Sequence, residues 1–108
     1  MQDRERLIVA LDLPSRSQAD QLASSLQSLV RWYKIGLELY SSEGPGLVRD
    51  YVAAGRQVFV DLKLHDIPAT VGRATQRVAG LGAGLLTVHS AGGLDMMMAA
   101  VEAAHAGQ

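Results

Sequence analysis

Short apolar runs alternate along the chain with stretches in which apolar residues recur every three or four positions. The apolar runs occupy residues 7–11, about 31–37 and 85–88, and a further run opens the stretch 58–68 with Val-Phe-Val. Such runs are typical of strands that are buried on both faces, and the longer spacing is typical of amphipathic helices. A strand therefore recurs about every 25 residues and is followed by a helix. This order predicts parallel strands joined by right-handed crossovers.

The expected helices begin with recognisable signals. The first follows a Pro-Ser pair, with Ser15 or Ser17 as its N-cap residue. The second follows the turn at residues 44–46, and the third starts near Pro68, since proline is favoured in a first helical turn. A last helix runs through residues 94–101.

Two α/β architectures suit this alternation: a doubly wound sheet and a (β/α)8 TIM barrel. A dinucleotide-binding sheet needs a glycine-rich turn after its first strand, but residues 11–15 read Leu-Asp-Leu-Pro-Ser. Side chains alternate along a strand, and this places polar groups on one shared face near the carboxyl ends of all four strands. These residues are Asp12, Lys34, Asp61, Lys63 and His89. Because barrel enzymes build their active sites at that end, the pattern favours the barrel.

The length of the chain predicts only part of such a barrel. A complete barrel has eight strands and about 250 residues, whereas this chain has 108 residues and four strand-helix units. We therefore expect residues 1–108 to form the amino-terminal half of a single barrel domain. Left alone, it would expose the inner face of the sheet and two strand edges. It is either part of a larger enzyme or a half-barrel that must associate.

Composition excludes several classes of function. The chain is 48% hydrophobic and 19% charged, with a formal net charge of -1, so charge gives no reason to expect nucleic acid or a membrane as partner. There are no cysteines, which excludes thiolate nucleophiles, disulfides and cysteine metal sites. The charged amino terminus leads into an apolar run too short for a signal peptide or a membrane span. A cytoplasmic protein is expected.

The third strand carries the most unusual chemistry, with Asp61, Lys63 and Asp66 spaced D-x-K-x-x-D. An acid and an amine on one face of an apolar strand are costly to bury without a purpose. Two unit charges about 4 Å apart interact by roughly 4 kcal/mol at an effective dielectric near 20. An anion pressed against Asp61 would be repelled, while a carbanion forming beside Lys63 would be attracted. This suits loss of a carboxylate followed by protonation from the lysine.

Each polar residue also has a purely structural interpretation. Asp12 can cap the first helix, and Lys34 can extend along its strand with its ammonium in water. Asp66 can belong to an ordinary turn before a proline, and His89 can hydrogen-bond to a backbone group. The acid and lysine of the third strand can form a structural ion pair. The convergence of all of them at one end of the sheet favours a site.

Four segments resemble the orotidine 5′-phosphate decarboxylase family over nearly the whole chain. They are Leu-Asp at 11–12, Lys-Ile-Gly at 34–36, Asp-Leu-Lys-Leu-His-Asp-Ile-Pro at 61–68, and Val-His-Ser-Ala-Gly-Gly at 88–93. The resemblance implies a (β/α)8 barrel that converts orotidine 5′-monophosphate to uridine 5′-monophosphate without a metal or organic cofactor. That reaction is the last step of de novo pyrimidine nucleotide synthesis.

The resemblance also implies catalytic roles. Lys34, Asp61, Lys63 and Asp66 match the alternating charged network of the family. Lys63 would protonate the pyrimidine C6 carbanion, and Asp61 would lie against the departing carboxylate. Lys34 would orient the network and contact the ribose.

Further residues match the family's substrate-binding positions. Asp12 would bind ribose hydroxyls, and His89 would lie near the substrate. The family's active sites lie at a two-fold homodimer interface, so Asp66, Ile67 and Thr70 would serve the partner's site. The residues that bind the phosphate and the pyrimidine in this family lie beyond residue 108, so the chain alone is expected to have little or no activity.

Three alternatives remain open. Magnesium-dependent sugar-phosphate decarboxylases and aldolases share the D-x-K-x-x-D spacing, although the residues after Lys63 count against them. The chain can also be a non-catalytic half-barrel that associates with itself. A third possibility is a module that binds a nucleotide through Asp12, Lys34 and His89.

Overall fold

The computed structural model describes residues 3–107 as helices packed on one face of a parallel four-stranded sheet. The strands are β1 (Ile8–Ala10), β2 (Trp32–Gly36), β3 (Gln57–Leu64) and β4 (Leu85–Val88). They lie in sequence order, and every neighbouring pair is parallel. The predicted order of four parallel strands and intervening helices is confirmed.

Five α-helices follow or connect the strands. They are α1 (Arg16–Leu26), α2 (Leu37–Glu43), α3 (Pro45–Ala53), α4 (Pro68–Gly80) and α5 (Leu94–Ala106). Short 3-10 turns lie at Asp3–Glu5, Gln27–Leu29 and Ser90–Gly92. Within the described residues no helix is both long and apolar enough to cross a membrane.

The helix starts follow the predicted signals with one correction. Ser15 caps α1 by accepting a hydrogen bond from the Gln18 amide at 3.3 Å, which decides between the two serines proposed. The second strand ends at Gly36, one residue earlier than predicted, because the unpredicted helix α2 begins at once. Its sequence was missed because it buries only Leu39 and so shows little helical periodicity. Gly44, at φ 76°, separates it from α3, a conformation that favours glycine.

The hydrophobic core lies between the sheet and helices α1 to α4. Tyr33 and Tyr51 are its largest fully buried side chains, and their rings meet edge to face at 6.2 Å between centroids. Val58, Val60 and Ile35 fill the same layer from the outer face of the sheet. Since this face is dry, the strands have a rigid backing from which their inner side chains project.

The inner face of the sheet is open. Ile8 and Leu85 are exposed on its two edge strands, while Trp32 and Phe59 are only half-buried between them. Strands β1 and β4 each pair on one side only. This is the exposure expected for half of a barrel.

The register between β3 and β4 is irregular at the carboxyl end. Val60 pairs with Leu86 and Leu64 with Val88, so three residues of β3 face one residue of β4. Within this bulge Lys63 adopts φ 49°, in the left-handed region that non-glycine residues rarely enter. Such irregularities reorient side chains and are common beside active sites.

A smaller core joins the last two helices. Val71 of α4 packs with Met96 and Ala100 of α5, and all three are buried. Met97 is partly buried against this core, whereas Leu94, Met98 and Val101 are exposed. Of the consecutive methionines at 96–98, Met96 therefore packs in this core and Met98 lies on the surface.

Candidate active site

A chain of charges occupies the carboxyl ends of β2 and β3. Asp61 Oδ2 accepts a hydrogen bond from the Lys63 ammonium at 2.9 Å, and the Lys34 ammonium lies 3.3 Å from the same oxygen. Asp61 is 6% exposed, so the carboxylate is taken from water and surrounded by its two cations. The three residues predicted to form the centre of the network are therefore brought together.

The other oxygen of this carboxylate is also occupied. The Thr87 hydroxyl on β4 donates to Asp61 Oδ1 at 2.7 Å. The same hydroxyl oxygen accepts from the Lys63 backbone amide at 3.0 Å. Asp61 is thus held by side chains from three neighbouring strands.

These contacts keep the carboxylate ionised. Donation from Thr87, followed by the Lys63 and Lys34 ammonium groups, lowers the pKa of Asp61 from 3.8 to about 2, although burial opposes the change. The negative charge is therefore present throughout the neutral range. An anionic substrate group placed beside Oδ2 would meet an undiminished like charge.

Lys63 differs from Lys34 in its exposure. The Lys63 side chain is 68% exposed, whereas that of Lys34 is 24% exposed. The Lys63 ammonium therefore faces the open inner side of the sheet, where a ligand would lie. Lys34 is more enclosed and suits a supporting electrostatic role.

Asp12 lies next to the charged cluster without joining its ion pairs. The preceding amide, that of Leu11, donates to the Lys34 carbonyl at 2.9 Å and aligns the end of β1 with β2. A Cβ atom built on Gly36 would lie 3.5 Å from Asp12 Oδ1, and Gly36 pairs directly with Asp61 in the sheet. The glycine thus leaves open space between the two aspartates. Asp12 is exposed, so its carboxylate is available to a hydroxylated ligand.

His89 is positioned but partly occupied. Its Nδ1 accepts from the Ala91 amide at 3.1 Å, which caps the turn before α5. Its ring stacks on that of His65, with centroids 5.1 Å apart and planes inclined by 21°. Since Nδ1 is used in the cap, only Nε2 can contact a ligand. Both the structural and the substrate-binding interpretations of His89 are compatible with this arrangement.

The structure does not bring Asp66 into the cluster. Asp66 Oδ1 accepts from the Ile67 amide at 2.7 Å, and within residues 3–107 the carboxylate forms no ion pair. Ile67 is 64% exposed, and Thr70 lies half-buried in the first turn of α4. A role for these three residues in a partner's site stays a prediction.

Thr87 belongs to this cluster but was not among the predicted site residues. Strand alternation places it on the same face as His89, but an uncharged threonine in the run Leu-Leu-Thr-Val is typical of an ordinary strand residue. The only available signal was its position one strand away from Asp61. Its partnership with Lys63 depends on the bulge, which alternation does not predict.

Chemically, the cluster presents a buried carboxylate beside an exposed ammonium. Within the described part of the chain, no three histidine, aspartate or glutamate side chains converge as metal ligands would. A cleft of about 540 Å³ lined by Arg49, Arg73 and Arg77 lies among the outer helices, away from this cluster. The charged cluster itself lies on the open inner face of the sheet, where Lys63 is exposed.

Comparison with known proteins identifies similar chains. Residues 5–108 match the model of the orotidine 5′-phosphate decarboxylase / HUMPS family. An orotidine 5′-phosphate decarboxylase of Anaeromyxobacter dehalogenans is 49% identical over 107 residues, which are 99% of this chain and 47% of that protein. One from a Bradyrhizobium species is 52% identical over 104 residues, covering 96% of this chain and 42% of the relative.

Solved structures agree with the sequence comparison. The crystal structure of orotidine 5′-phosphate decarboxylase from Lactobacillus acidophilus matches with a TM-score of 0.89 and 36% identity. The match covers 94% of this chain and 46% of that one. The chain therefore spans about half the length of the relatives it matches, and its fold is that of the amino-terminal half of a (β/α)8 barrel.

Proposed function

The chain belongs to the orotidine 5′-phosphate decarboxylase / HUMPS family, and on this premise we propose that it supplies the charge network of an orotidine 5′-phosphate decarboxylase. The observation that carries the proposal is Asp61 Oδ2 held between Lys63 at 2.9 Å and Lys34 at 3.3 Å. The names of the relatives give the substrate class, orotidine 5′-monophosphate, and the reaction, its conversion to uridine 5′-monophosphate and carbon dioxide.

Asp61 and Lys63 divide the reaction between them. The substrate carboxylate lies beside Asp61, and the bond between that carboxylate and pyrimidine C6 breaks, releasing carbon dioxide. The electron pair stays on C6, where the Lys63 ammonium stabilises it and donates a proton. Stabilisation of the carbanion is the larger effect, because a positioned charge acts most strongly where new charge develops.

Lys34 and Asp12 bind and orient. Lys34 contacts Asp61 Oδ2, the same oxygen that Lys63 contacts, and also contacts the ribose. Asp12, exposed beside Gly36, accepts hydrogen bonds from ribose hydroxyls. His89 contributes through Nε2, the ring nitrogen that the cap leaves available. No metal ion or organic cofactor takes part in this proposal.

Asp66, Ile67 and Thr70 act in the second site of a homodimer. Their support is geometric: Asp66 and Ile67 are exposed beyond the end of β3, and Asp66 forms no ion pair with the cluster. The assembly is a cytoplasmic enzyme of pyrimidine synthesis.

A chimeric enzyme tests the proposed function. The chain replaces the 107 matched residues of the Anaeromyxobacter decarboxylase, whose remaining half completes the barrel. Loss of the ultraviolet absorbance of orotidine 5′-monophosphate reports decarboxylation, and a strong chelator is added in a parallel assay. Turnover that survives the chelator supports the proposal. A folded chimera without turnover contradicts it, and turnover that requires magnesium would instead favour the sugar-phosphate branch of the family.

A further inference from the structure

We propose that Thr87 is a positioning residue, whose hydroxyl fixes the Asp61 carboxylate and the Lys63 backbone relative to each other. The role rests on the proposed function only in that Asp61 and Lys63 are the residues to which catalysis is assigned. The contacts themselves exist whatever the reaction. In this proposal Thr87 does not contact the substrate. It acts through Asp61 and Lys63, the two residues to which it is hydrogen-bonded.

The direction of both hydrogen bonds is fixed by chemistry. An ionised carboxylate can only accept, and a backbone amide can only donate. The Thr87 hydroxyl therefore gives its single proton to Asp61 Oδ1 at 2.7 Å and accepts from the Lys63 amide at 3.0 Å. A bond to a charged acceptor is stronger than one between neutral groups, and successive bonds reinforce one another.

The bulge explains why a side chain is needed at this point. Residues 61–63 lie between the paired positions Val60 and Leu64, so β4 offers no backbone partner in register to the Lys63 amide. The backbone of Lys63 is also at φ 49°, in the left-handed region that is unfavourable for a residue with a side chain. The Thr87 hydroxyl replaces the missing partner and holds Lys63 in this conformation.

Together these contacts form a closed ring. Starting at Asp61, it passes through the Thr87 hydroxyl to the Lys63 amide and returns through the Lys63 ammonium to Oδ2. Serine would preserve the ring, whereas valine would keep the shape of threonine and remove both bonds. If Thr87 were required only for packing in the sheet, valine would be tolerated better than serine at this position.

Carbon-13 NMR of the aspartate carboxyl groups in the 108-residue chain tests the inference without turnover. Asp61 titrations are compared in the unsubstituted chain, Thr87→Val, Thr87→Ala and Thr87→Ser. Thr75→Val is the control, because Thr75 is a buried threonine of α4 whose hydroxyl has no partner within the described residues. The expected result is a titration midpoint raised by about one pH unit in the valine and alanine variants. The serine and Thr75→Val chains keep the low midpoint.

Three results would overturn the inference. The first is an unchanged Asp61 midpoint in Thr87→Val or Thr87→Ala, or an ordinary midpoint near 3.8 in the unsubstituted chain. The second is an equal rise in Thr75→Val, which would show a general effect of losing a hydroxyl. The third is loss of the native spectrum in both Thr87→Val and Thr87→Ala, because the hydroxyl would then hold the fold rather than the site.

The chimera adds a catalytic readout. Thr87→Val is expected to lower kcat about tenfold or more with little change in KM, and Thr87→Ser is expected to restore it. If the Asp61 titration in the 108-residue chain agrees with the prediction but the chimera shows no turnover, only the proposed function is contradicted, and the positioning of Asp61 by Thr87 still holds. Equal effects on kcat and KM in the serine variant would argue against a positioning role.

Discussion

Lys34 of β2 reaches diagonally to Asp61 on the neighbouring strand β3. Its paired residue on β3 is Phe59, and Asp61 is paired with Gly36, yet the Lys34 ammonium lies 3.3 Å from Asp61 Oδ2. A long side chain can bridge such a diagonal pair, and the absence of a side chain at Gly36 leaves the path clear. The convergence of this cluster therefore depends on register as much as on residue type.

Lys63→Ala should remove catalysis in the chimera. Without the ammonium, no group of the cluster donates a proton to C6, and we expect kcat to fall at least about a hundredfold. Arg73→Ala, on the exposed surface of α4, is the control and should leave kcat unchanged. Decarboxylation measured by absorbance provides the test, and an active Lys63→Ala enzyme would contradict the assignment of the proton donor.

Asp61 should make stability depend on pH in the acid range. Its pKa is about 2 when folded and near 3.8 when exposed, so unfolding takes up a proton between these values. The contribution is complete above about pH 4 and is lost as the pH falls toward 2, by about 2 kcal/mol. Urea unfolding at a series of pH values checks this in the 108-residue chain. The loss should disappear in Asp61→Asn and persist in Glu102→Gln, an exposed control.

Ser15 and Ser17 should differ although they lie two residues apart. Ser15 accepts the bond from the Gln18 amide, so Ser15→Ala should lower the free energy of unfolding by about 1 kcal/mol. Ser17 is exposed inside α1, where alanine is a better helix former, and Ser17→Ala should be neutral or slightly stabilising. Denaturant unfolding of both variants compares them. Equal effects would show that the cap makes no net contribution.

Gly92 should not tolerate a side chain. A Cβ atom there would overlap the sulfur of Met96, which is fully buried, and would lie in contact with the His65 ring at 3.4 Å. Gly92→Ala should therefore destabilise the chain by about 1–3 kcal/mol. Gly46→Ala in α3 is the matched control, since nothing lies within 4 Å of its Cβ position, and it should stabilise by up to about 1 kcal/mol. Thermal unfolding in which the two variants behave alike would exclude steric overlap as the cause.

The 108-residue chain by itself should show no decarboxylation above background. It supplies four strands and leaves the inner face of its sheet open, so remote substrate contacts that would support the reaction are not assembled. Absorbance assays on the purified chain, alongside the chimera, measure this directly. Sedimentation tests the self-associating alternative at the same time: a disordered monomer would exclude it, and a folded dimer would favour it.

Much of the fold followed from hydrophobic periodicity. The four strands and four of the five helices lie where alternation of apolar runs and helical spacing placed them, because strands of parallel sheets are typically continuous apolar runs. Helix α2 was missed, since seven residues burying one leucine leave no periodic pattern to detect. Strand β2 also ends one residue earlier than predicted, at Gly36, because the undetected helix α2 begins at the next residue.

The site was predictable in its charges and less so in its geometry. Alternation correctly grouped Lys34, Asp61 and Lys63, because side-chain direction follows from strand position. It could not reveal that Thr87 joins them, since the contact requires a bulge and a left-handed lysine. Asp66 was predicted from the resemblance to serve a partner's site, and its position apart from the ion pairs is compatible with that role, which stays a prediction.

The low pKa of Asp61 has a consequence for the end of the reaction cycle. In the proposed mechanism, Lys63 gives up its proton and leaves a neutral amine beside a carboxylate that Thr87 and Lys34 still keep ionised. Asp61 does not capture the next proton from water, because a carboxylate with so low a pKa is too weak a base. From one turnover to the next, Asp61 therefore keeps the negative charge that would repel the substrate's carboxylate.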